Sequence, residues 1–169
     1  PISAIESIQK HQATIVTGPP TMWAAWAGLP EAPEHAFDSV RLAVSGAARL
    51  PDEVARTMQR RYDVHLTEGY GLTEASPVVT SAVGTDAPVG SVGVPVPGLE
   101  LRLVDEDGDD VLIGDSGELW VRGPNVFAGY WNDEDATARA INPEGWLVTG
   151  DVATVDDGGY LYLVDRVKD

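Results

Sequence analysis

The sequence predicts an α/β fold, in which a parallel sheet with flanking helices is followed by a small antiparallel, β-barrel-like subdomain. In the first half of the chain, short β-rich runs alternate with segments that repeat apolar residues at helical spacing. In the second half, short strands are separated by turns rich in Gly or Asp. Because the pattern changes near residue 85, we expect a partial α/β subdomain over residues 1–84 and a β-rich one over residues 85–164.

The first half predicts three strands with a helix between each consecutive pair. An opening helix precedes them, because Ile2, Ile5 and Ile8 recur at helical spacing. A segment with two prolines and three acids, residues 28–38, is expected to be a surface loop. The strands are expected at residues 13–17, 40–44 and 64–67, and the helices between them begin near Thr21 and Pro51.

This alternation of strands and helices predicts where a ligand binds. Strands joined by helices in this way form parallel sheets, and ligands of such sheets bind beyond the carboxyl ends of the strands. Three short loops follow the predicted strand ends and are expected at one edge of the sheet: Thr17-Gly18, Ser45-Gly46-Ala47 and Gly69-Tyr70-Gly71.

The second half predicts short strands and one short helix. Leu99, Leu101 and Leu103 alternate with polar residues, as in a half-buried strand. Further strands are expected at residues 118–122, 146–148, 152–155 and 160–164, and a helix capped by Asn132 or Asp133 is expected to reach Ala140.

Charge and composition exclude several classes of partner and site. The formal net charge is −16, and residues 85–169 alone hold 18 acidic and 5 basic side chains. Such a surface repels phosphate backbones, so we expect no nucleic-acid partner. The chain has no cysteine and no apolar run of membrane-spanning length. We therefore expect a cytoplasmic protein without disulfides, thiolate metal sites or a transmembrane segment.

The motif EGYGLTEAS follows the third predicted strand and has the composition of a binding site. Gly69 and Gly71 allow the backbone to approach a ligand closely. Tyr70 offers a flat face to a planar ring, Thr73 a hydrogen-bond donor, and Glu74 a hard oxygen of the kind that Mg²⁺ prefers. Together these residues predict a site for a purine nucleotide.

Four blocks of sequence occur in order along the chain: YGLTE at 70–74, GELWVRGPNVFAGYW at 117–131, WLVTGD at 146–151 and DRVKD at 165–169. Together they resemble the adenylate-forming (AMP-binding) superfamily, and within it most closely the acyl-CoA synthetase or fatty-acid–CoA ligase branch. A strand that ends in a glycine turn would explain Gly69 and Gly71, but not the later blocks. The resemblance implies the C-terminal part of the family's large N-terminal domain, with residues 165–169 as the hinge to an absent lid.

The activity that the resemblance implies is an AMP-forming ligation. A carboxylic acid, here a fatty acid, would be joined to the α-phosphate of ATP with Mg²⁺, pyrophosphate would leave, and the acyl group would pass to CoA. Thr73 and Glu74 are the implied catalytic residues, Thr73 on the α-phosphate and Glu74 on the metal ion. An adenylation domain that loads a carrier-protein thiol, and a non-catalytic paralogue that binds a nucleotide or acyl ligand, are the alternatives.

The resemblance also implies roles for residues outside the motif. Tyr70 would stack on the adenine, Asp151 would accept hydrogen bonds from the ribose hydroxyls, Arg166 would contact the ribose, and Lys168 would be the hinge. The full implied nucleotide-binding set is Gly46, Ala47, Tyr70, Gly71, Thr73, Asp151 and Arg166. The implied acyl pocket is bordered by Val44, Ala47, Gly69 and Leu72.

The family's phosphate loop and the lysine of its lid are not among these 169 residues. We therefore expect this chain alone to be inactive, whereas the resemblance implies that its full-length parent is an active ligase. Small residues at Ala47 and Gly69 permit an extended acyl channel without specifying one acid.

Overall fold

The computed structural model describes residues 1–166, and the chain forms two compact units, Pro1–Gly69 and Tyr70–Asp169. The strand that closes the first unit contributes its last two residues, Tyr70 and Gly71, to the second. The elements of the first unit are α1 (Ile2–His11), β1 (Ile15–Gly18), α2 (Pro20–Ala27), β2 (Leu42–Ser45), α3 (Asp52–Tyr62) and β3 (Leu66–Gly71).

The strands of the first unit form the parallel sheet that the sequence predicts. β1 pairs with β2, and β2 pairs with β3, both in parallel. The register places Gly18 beside Ser45, and Ser45 beside Glu68. The carboxyl ends of β1 and β2 therefore lie side by side, with β3 running past them.

Aromatic side chains fill the core of the first unit. The ring centroids of Trp23 and Trp26 lie 5.1 Å apart, and Phe37 lies 5.4 Å from Trp26 and 5.1 Å from Tyr62. Phe37 is only 2% exposed, so the predicted surface loop over residues 28–38 is wrong in this respect. The segment has no helix or strand, but its one aromatic residue joins the tryptophan cluster because burial of an aromatic ring outweighs the polarity of its neighbours.

Helix α3 begins directly after Pro51, as predicted, and carries charges of opposite sign at its two ends. Asp52 and Glu53 lie in its first turn and Arg60 and Arg61 in its last, which complements the helix dipole at both ends. Pro51 precedes the first turn in an extended conformation, where the missing N–H of proline costs no helical hydrogen bond.

The second unit is an antiparallel β structure, as predicted. β4 pairs with β5, and four later strands form one sheet in the order β6-β7-β8-β9. The predicted cap of the short helix is confirmed, because the Asp133 side chain accepts a hydrogen bond from the Ala136 N–H at 2.8 Å. The elements are β4 (Val78–Ser81), β5 (Val94–Pro95), β6 (Glu100–Val104), β7 (Gly117–Arg122), α4 (Glu134–Ala140), β8 (Leu147–Val155) and β9 (Leu161–Arg166).

The second unit begins earlier than the predicted change of pattern near residue 85. Tyr70, Ala75 and Val79 belong to the same buried cluster as Leu119 and Val121 of β7. The sequence pattern changes near residue 85 because the strands become short and the turns acidic there. The boundary between the two hydrophobic cores lies earlier, because Tyr70 is the first residue that belongs to the second cluster.

The predicted end of the third strand at Thr67 is also wrong. β3 continues through Gly71, so the segment Gly69-Tyr70-Gly71 is extended backbone and not a loop. Glycine is a poor strand residue by propensity, but the backbone of Pro77 lies so close to Gly71 that a larger residue would not fit there.

Among residues 1–166, no helix combines the length and the apolar character needed to cross a lipid bilayer.

Leu119 provides a test of the second core. It is fully buried on β7, whereas Leu112 is 77% exposed. We expect Leu119→Ala to lower the free energy of unfolding by about 2–5 kcal/mol, because the substitution removes buried apolar surface and leaves a cavity. Leu112→Ala should leave it nearly unchanged. Urea denaturation followed by circular dichroism measures both, and equal effects would contradict the described packing.

Glu68 is a half-buried carboxylate on β3. Its Oε1 accepts a hydrogen bond from the Leu50 N–H at 3.0 Å. Burial raises the pKa of Glu68 above its ordinary value, and the hydrogen bond from Leu50 and the charge of Arg49 only partly oppose this. A carboxyl group whose pKa is raised by folding binds protons more readily in the folded chain. Its ionisation therefore costs stability as the pH rises through the raised pKa.

We accordingly expect Glu68→Gln to increase the free energy of unfolding at pH 7. Glutamine keeps the acceptor for Leu50 without the buried charge. The gain should disappear near pH 3, roughly a unit below the ordinary glutamate pKa, because both forms are then neutral. Glu106→Gln, at an exposed position, controls for the change in net charge. A gain that does not depend on pH, measured by denaturation at both values, would contradict the assignment to Glu68.

Candidate functional site

The motif EGYGLTEAS folds into a strand end followed by a tight reversal of the chain. After β3, Thr73–Ala75 form one turn of 3₁₀ helix, and Ser76 adopts a left-handed conformation with φ 53°. A Cβ atom at Gly71 would lie 1.9 Å from the carbonyl oxygen of Pro77. Glycine is required at position 71 because the returning chain passes directly over it. The reversal presents Thr73, which is exposed, and Glu74, which is half-buried.

Tyr70 is mostly buried, unlike the open stacking face that the sequence suggests. It is 8% exposed and belongs to the core cluster of the second unit. Its hydroxyl donates a hydrogen bond to Oδ2 of Asp151 at 2.5 Å. Adenine stacking on Tyr70 stays a prediction, and the structure adds a second role for this residue as a hydrogen-bond donor to Asp151.

Asp151 is a buried carboxylate in the middle of β8, with 5% of its surface exposed. Gly150, which precedes it, has a left-handed backbone at φ 75°. The Asp151 N–H donates to Oγ1 of Thr149 at 3.1 Å, and the Thr149 hydroxyl donates to the carbonyl of Leu119 at 2.7 Å. Thr149, in the motif WLVTGD, thus links the backbone of Asp151 to that of β7. The contact of the Asp151 carboxylate with a ribose stays a prediction.

Glu74 is held by a segment about 50 residues further along the chain. Its carbonyl accepts a hydrogen bond from the Phe127 N–H at 2.8 Å, and its Oε1 accepts one from the Tyr130 hydroxyl at 2.7 Å. Next to it, Nδ2 of Asn125 donates to the carbonyls of Ala75 at 2.7 Å and Val78 at 2.9 Å. The hydrogen bond to Glu74, together with burial, raises the pKa of Tyr130.

The sequence interpretation did not assign roles to Asn125, Phe127 or Tyr130. They lie in the block GELWVRGPNVFAGYW, which was recognised only as a whole. No local signal singles out Tyr130, because the pair Gly-Tyr occurs at Gly69-Tyr70, Gly129-Tyr130 and Gly159-Tyr160. A Cβ at Gly129 would lie 2.6 Å from the Thr137 side chain, so this glycine also admits a close neighbour.

The predicted residues of the first unit gather around the end of β2. Val44 is half-buried on β2, and Gly46 follows the strand, where its N–H donates to the Gly18 carbonyl at 3.3 Å. Ala47 is exposed and has a left-handed backbone at φ 70°, an uncommon conformation for alanine. Ser45 is 1% exposed, and within residues 1–166 its Oγ has no hydrogen-bond partner. A buried polar atom of this kind suits a site that binds a polar ligand.

The other predicted residues lie at different places in the two units. Gly69 is half-buried in β3, and Leu72 is half-buried just after it. Arg166 ends β9, where its backbone is in register with Asp151. Lys168, the predicted hinge, lies outside the described residues.

The described part of the chain contains no cluster of three or more His, Cys, Asp or Glu residues that could hold a metal ion. Glu74 is nevertheless a half-buried carboxylate on an accessible turn. Mg²⁺ is commonly bound by one or two carboxylates together with the phosphates of a nucleotide. The residues present fit a magnesium ion that arrives with a nucleotide, and do not form a cage of protein ligands.

Comparison with known proteins gives the same family as the motifs. A family model described as AMP-binding enzyme matches residues 2–131. The long-chain-fatty-acid–CoA ligase of Yersinia pestis is 43% identical over 166 residues, which cover 98% of this chain and 29% of that protein. The ligase of the same name from Bacillus subtilis (strain 168) is 37% identical over 172 residues, which cover the whole chain and 30% of that protein.

Solved structures share the fold. The anthranilate CoA ligase AuaEII, in complex with anthranoyl-AMP, superposes with a TM-score of 0.91 at 31% identity over 99% of this chain and 32% of that one. A malonyl-CoA ligase with methylmalonyl-CoA and AMP bound gives a TM-score of 0.85 at 37% identity, over 96% of this chain and 36% of that one. The chain thus spans about a third of the length of the proteins that it matches.

The hydrogen bond between Tyr70 and Asp151 generates a stability prediction. We expect Tyr70→Phe to lower the free energy of unfolding by about 1–3 kcal/mol, because it removes a donor from a buried carboxylate. Tyr162→Phe is a matched control, since the Tyr162 hydroxyl donates to Asp156 at 2.9 Å in a more exposed place, and should cost less. Chemical denaturation measures both losses. A Tyr70→Phe protein as stable as the unsubstituted one would show that this hydrogen bond adds nothing.

Proposed function

We propose, because the chain belongs to the AMP-binding enzyme family, that the full-length protein containing it is an AMP-forming ligase that couples a fatty acid to CoA. In the first step a carboxylate oxygen bonds to the α-phosphorus of ATP, and the bond to the β-phosphate breaks to release pyrophosphate. In the second step the CoA sulfur bonds to the acyl carbon and AMP leaves. The observation that carries this proposal is the 40–43% identity to long-chain-fatty-acid–CoA ligases across 98% of the chain.

The turn after β3 supplies the groups that act on the phosphates. Such a reaction depends on alignment of the reacting groups and on stabilisation of charge, and the protein forms few covalent bonds in it. The exposed Thr73 hydroxyl would donate to the α-phosphate. Glu74 would bind Mg²⁺ together with the phosphates, and the ion would offset the negative charge that develops there. The hydrogen bonds that fix Glu74 support this role.

The remaining residues would bind the nucleoside and the acid. Asp151 and Arg166 would bind the ribose, and a buried carboxylate held by Tyr70 suits an acceptor for sugar hydroxyls. Gly46, Ala47 and Gly71 would lie against the nucleotide, with the unpartnered Oγ of Ser45 supporting a polar ligand nearby. The acid would be bordered by Val44, Ala47, Gly69 and Leu72. We also propose that CoA accepts the acyl group, that Lys168 is the hinge residue, and that the protein is located in the cytoplasm.

The test is pyrophosphate exchange by the full-length protein with short, medium, long-chain and aryl acids. We expect exchange with long-chain acids, and formation of the thioester when CoA is added. Glu74→Ala should reduce exchange on the order of a hundredfold, because a catalytic metal ion contributes several kcal/mol of transition-state stabilisation.

Glu106→Ala is the matched control, since Glu106 is an exposed carboxylate on the turn between β6 and β7. It should retain full exchange. A folded full-length protein that binds AMP but exchanges pyrophosphate with no acid would contradict the proposed activity. Thioester formation on a carrier protein, and not on CoA, would contradict the proposed acceptor.

A further inference from the structure

Three residues of the segment 125–130 donate hydrogen bonds to the turn that carries Glu74 or to the strand that follows it. Nδ2 of Asn125 donates to the carbonyls of Ala75 and Val78, and the Phe127 N–H donates to the Glu74 carbonyl. These contacts fix the backbone of the turn. The third residue differs, because the Tyr130 hydroxyl reaches the Glu74 side chain itself, at Oε1 and 2.7 Å.

Tyr130 is itself held on two sides. Its N–H donates to Oγ1 of Thr137 at 2.9 Å, and the Thr137 hydroxyl donates to the Asp133 carbonyl at 2.8 Å at the start of α4. Its ring packs against Phe127 in an edge-to-face arrangement, with centroids 4.9 Å apart and planes at 76°. The hydroxyl therefore occupies a defined position, although the residue is 42% exposed.

The two oxygens of the Glu74 carboxylate differ as a result. Oε1 accepts the Tyr130 hydrogen bond, whereas the structure records no donor to Oε2 from residues 1–166. We propose that Tyr130 is a positioning residue, which holds Glu74 through Oε1 and leaves Oε2 to bind a divalent cation carried by the nucleotide. This inference rests on the proposed function, because it assumes that Glu74 meets the cation.

The physical reason is preorganisation. A glutamate side chain has three rotatable bonds and loses conformational freedom when it binds an ion. A hydrogen bond to one oxygen restricts those rotamers before the ion arrives, so less freedom is lost on binding. Outer partners of metal ligands commonly affect metal affinity in this way. A tyrosine that only anchored residues 125–130 would change stability without changing cation affinity.

The experiment compares Tyr130→Phe with Tyr162→Phe in the full-length protein. Each substitution removes one hydroxyl that donates to a carboxylate, but only the first touches Glu74. Mn²⁺ binding in the presence of a non-hydrolysable ATP analogue is measured by electron paramagnetic resonance. We expect Tyr130→Phe to weaken Mn²⁺ binding about tenfold, the lower end of the range for loss of an outer partner, and Tyr162→Phe to leave it unchanged.

Two further measurements separate positioning from a structural role. The Mg²⁺ concentration that half-saturates pyrophosphate exchange should rise in Tyr130→Phe by a similar factor, while the melting temperature changes no more than in Tyr162→Phe. In a Glu74→Ala background, Tyr130→Phe should have no further effect on Mn²⁺ binding. An equal effect in both backgrounds would overturn the inference.

The outcomes also distinguish this inference from the proposed function. If the unsubstituted protein exchanges pyrophosphate and binds Mn²⁺ with the nucleotide, but Tyr130→Phe behaves as Tyr162→Phe does, the positioning role alone is wrong. If the unsubstituted protein neither exchanges pyrophosphate with any acid nor binds Mn²⁺ with the nucleotide, the proposed function is wrong and this inference with it.

Discussion

The close approach of the backbone at Gly71 to the backbone at Pro77 is the constraint on which the candidate site depends. A side chain at position 71 would occupy the space of the Pro77 carbonyl, so the chain can reverse here only with glycine. The reversal lets Val79 enter the core of the second unit while Glu74 stays half-exposed. The segment of residues 125–130 then fixes Glu74 by hydrogen bonds to its backbone and its side chain. Every contact described for the Glu74 carboxylate therefore depends on this reversal of the chain.

Much of the fold could be predicted because it depends on local patterns. The parallel order of the first three strands follows from their alternation with helices, and the sequence before α4 predicts Asn132 or Asp133 as its cap, of which Asp133 is the one observed. Errors arose where long-range packing overrode local pattern. Phe37 lies among prolines and acids but joins the tryptophan cluster, and β3 continues through Gly71, where the backbone of Pro77 lies too close to admit a side chain.

The site was predicted less completely, for a related reason. A motif identifies residues that are close in sequence, such as Thr73 and Glu74, which lie on one turn. It does not identify the hydrogen-bond partners that lie far away in the sequence. Tyr130 is 56 residues from Glu74, and Tyr70 is 81 residues from Asp151. Nothing local to Tyr70 predicts that its hydroxyl faces a buried carboxylate, so it was interpreted only through its ring.

The shared hydrogen bond of Tyr70 and Asp151 has a consequence for mutational tolerance. Replacing either residue alone leaves a buried polar group with one partner fewer, so changes at the two positions are not independent. Substitution is expected to cost less stability at position 70 than at position 151, since a phenylalanine at position 70 keeps the ring and loses only a hydrogen-bond donor. Every replacement at position 151 other than glutamate removes the carboxylate, and every replacement other than asparagine also changes the size or shape of a side chain at a position that is 5% exposed. In a library that varies both positions, position 151 should therefore accept fewer residues than position 70, even when folding alone is selected.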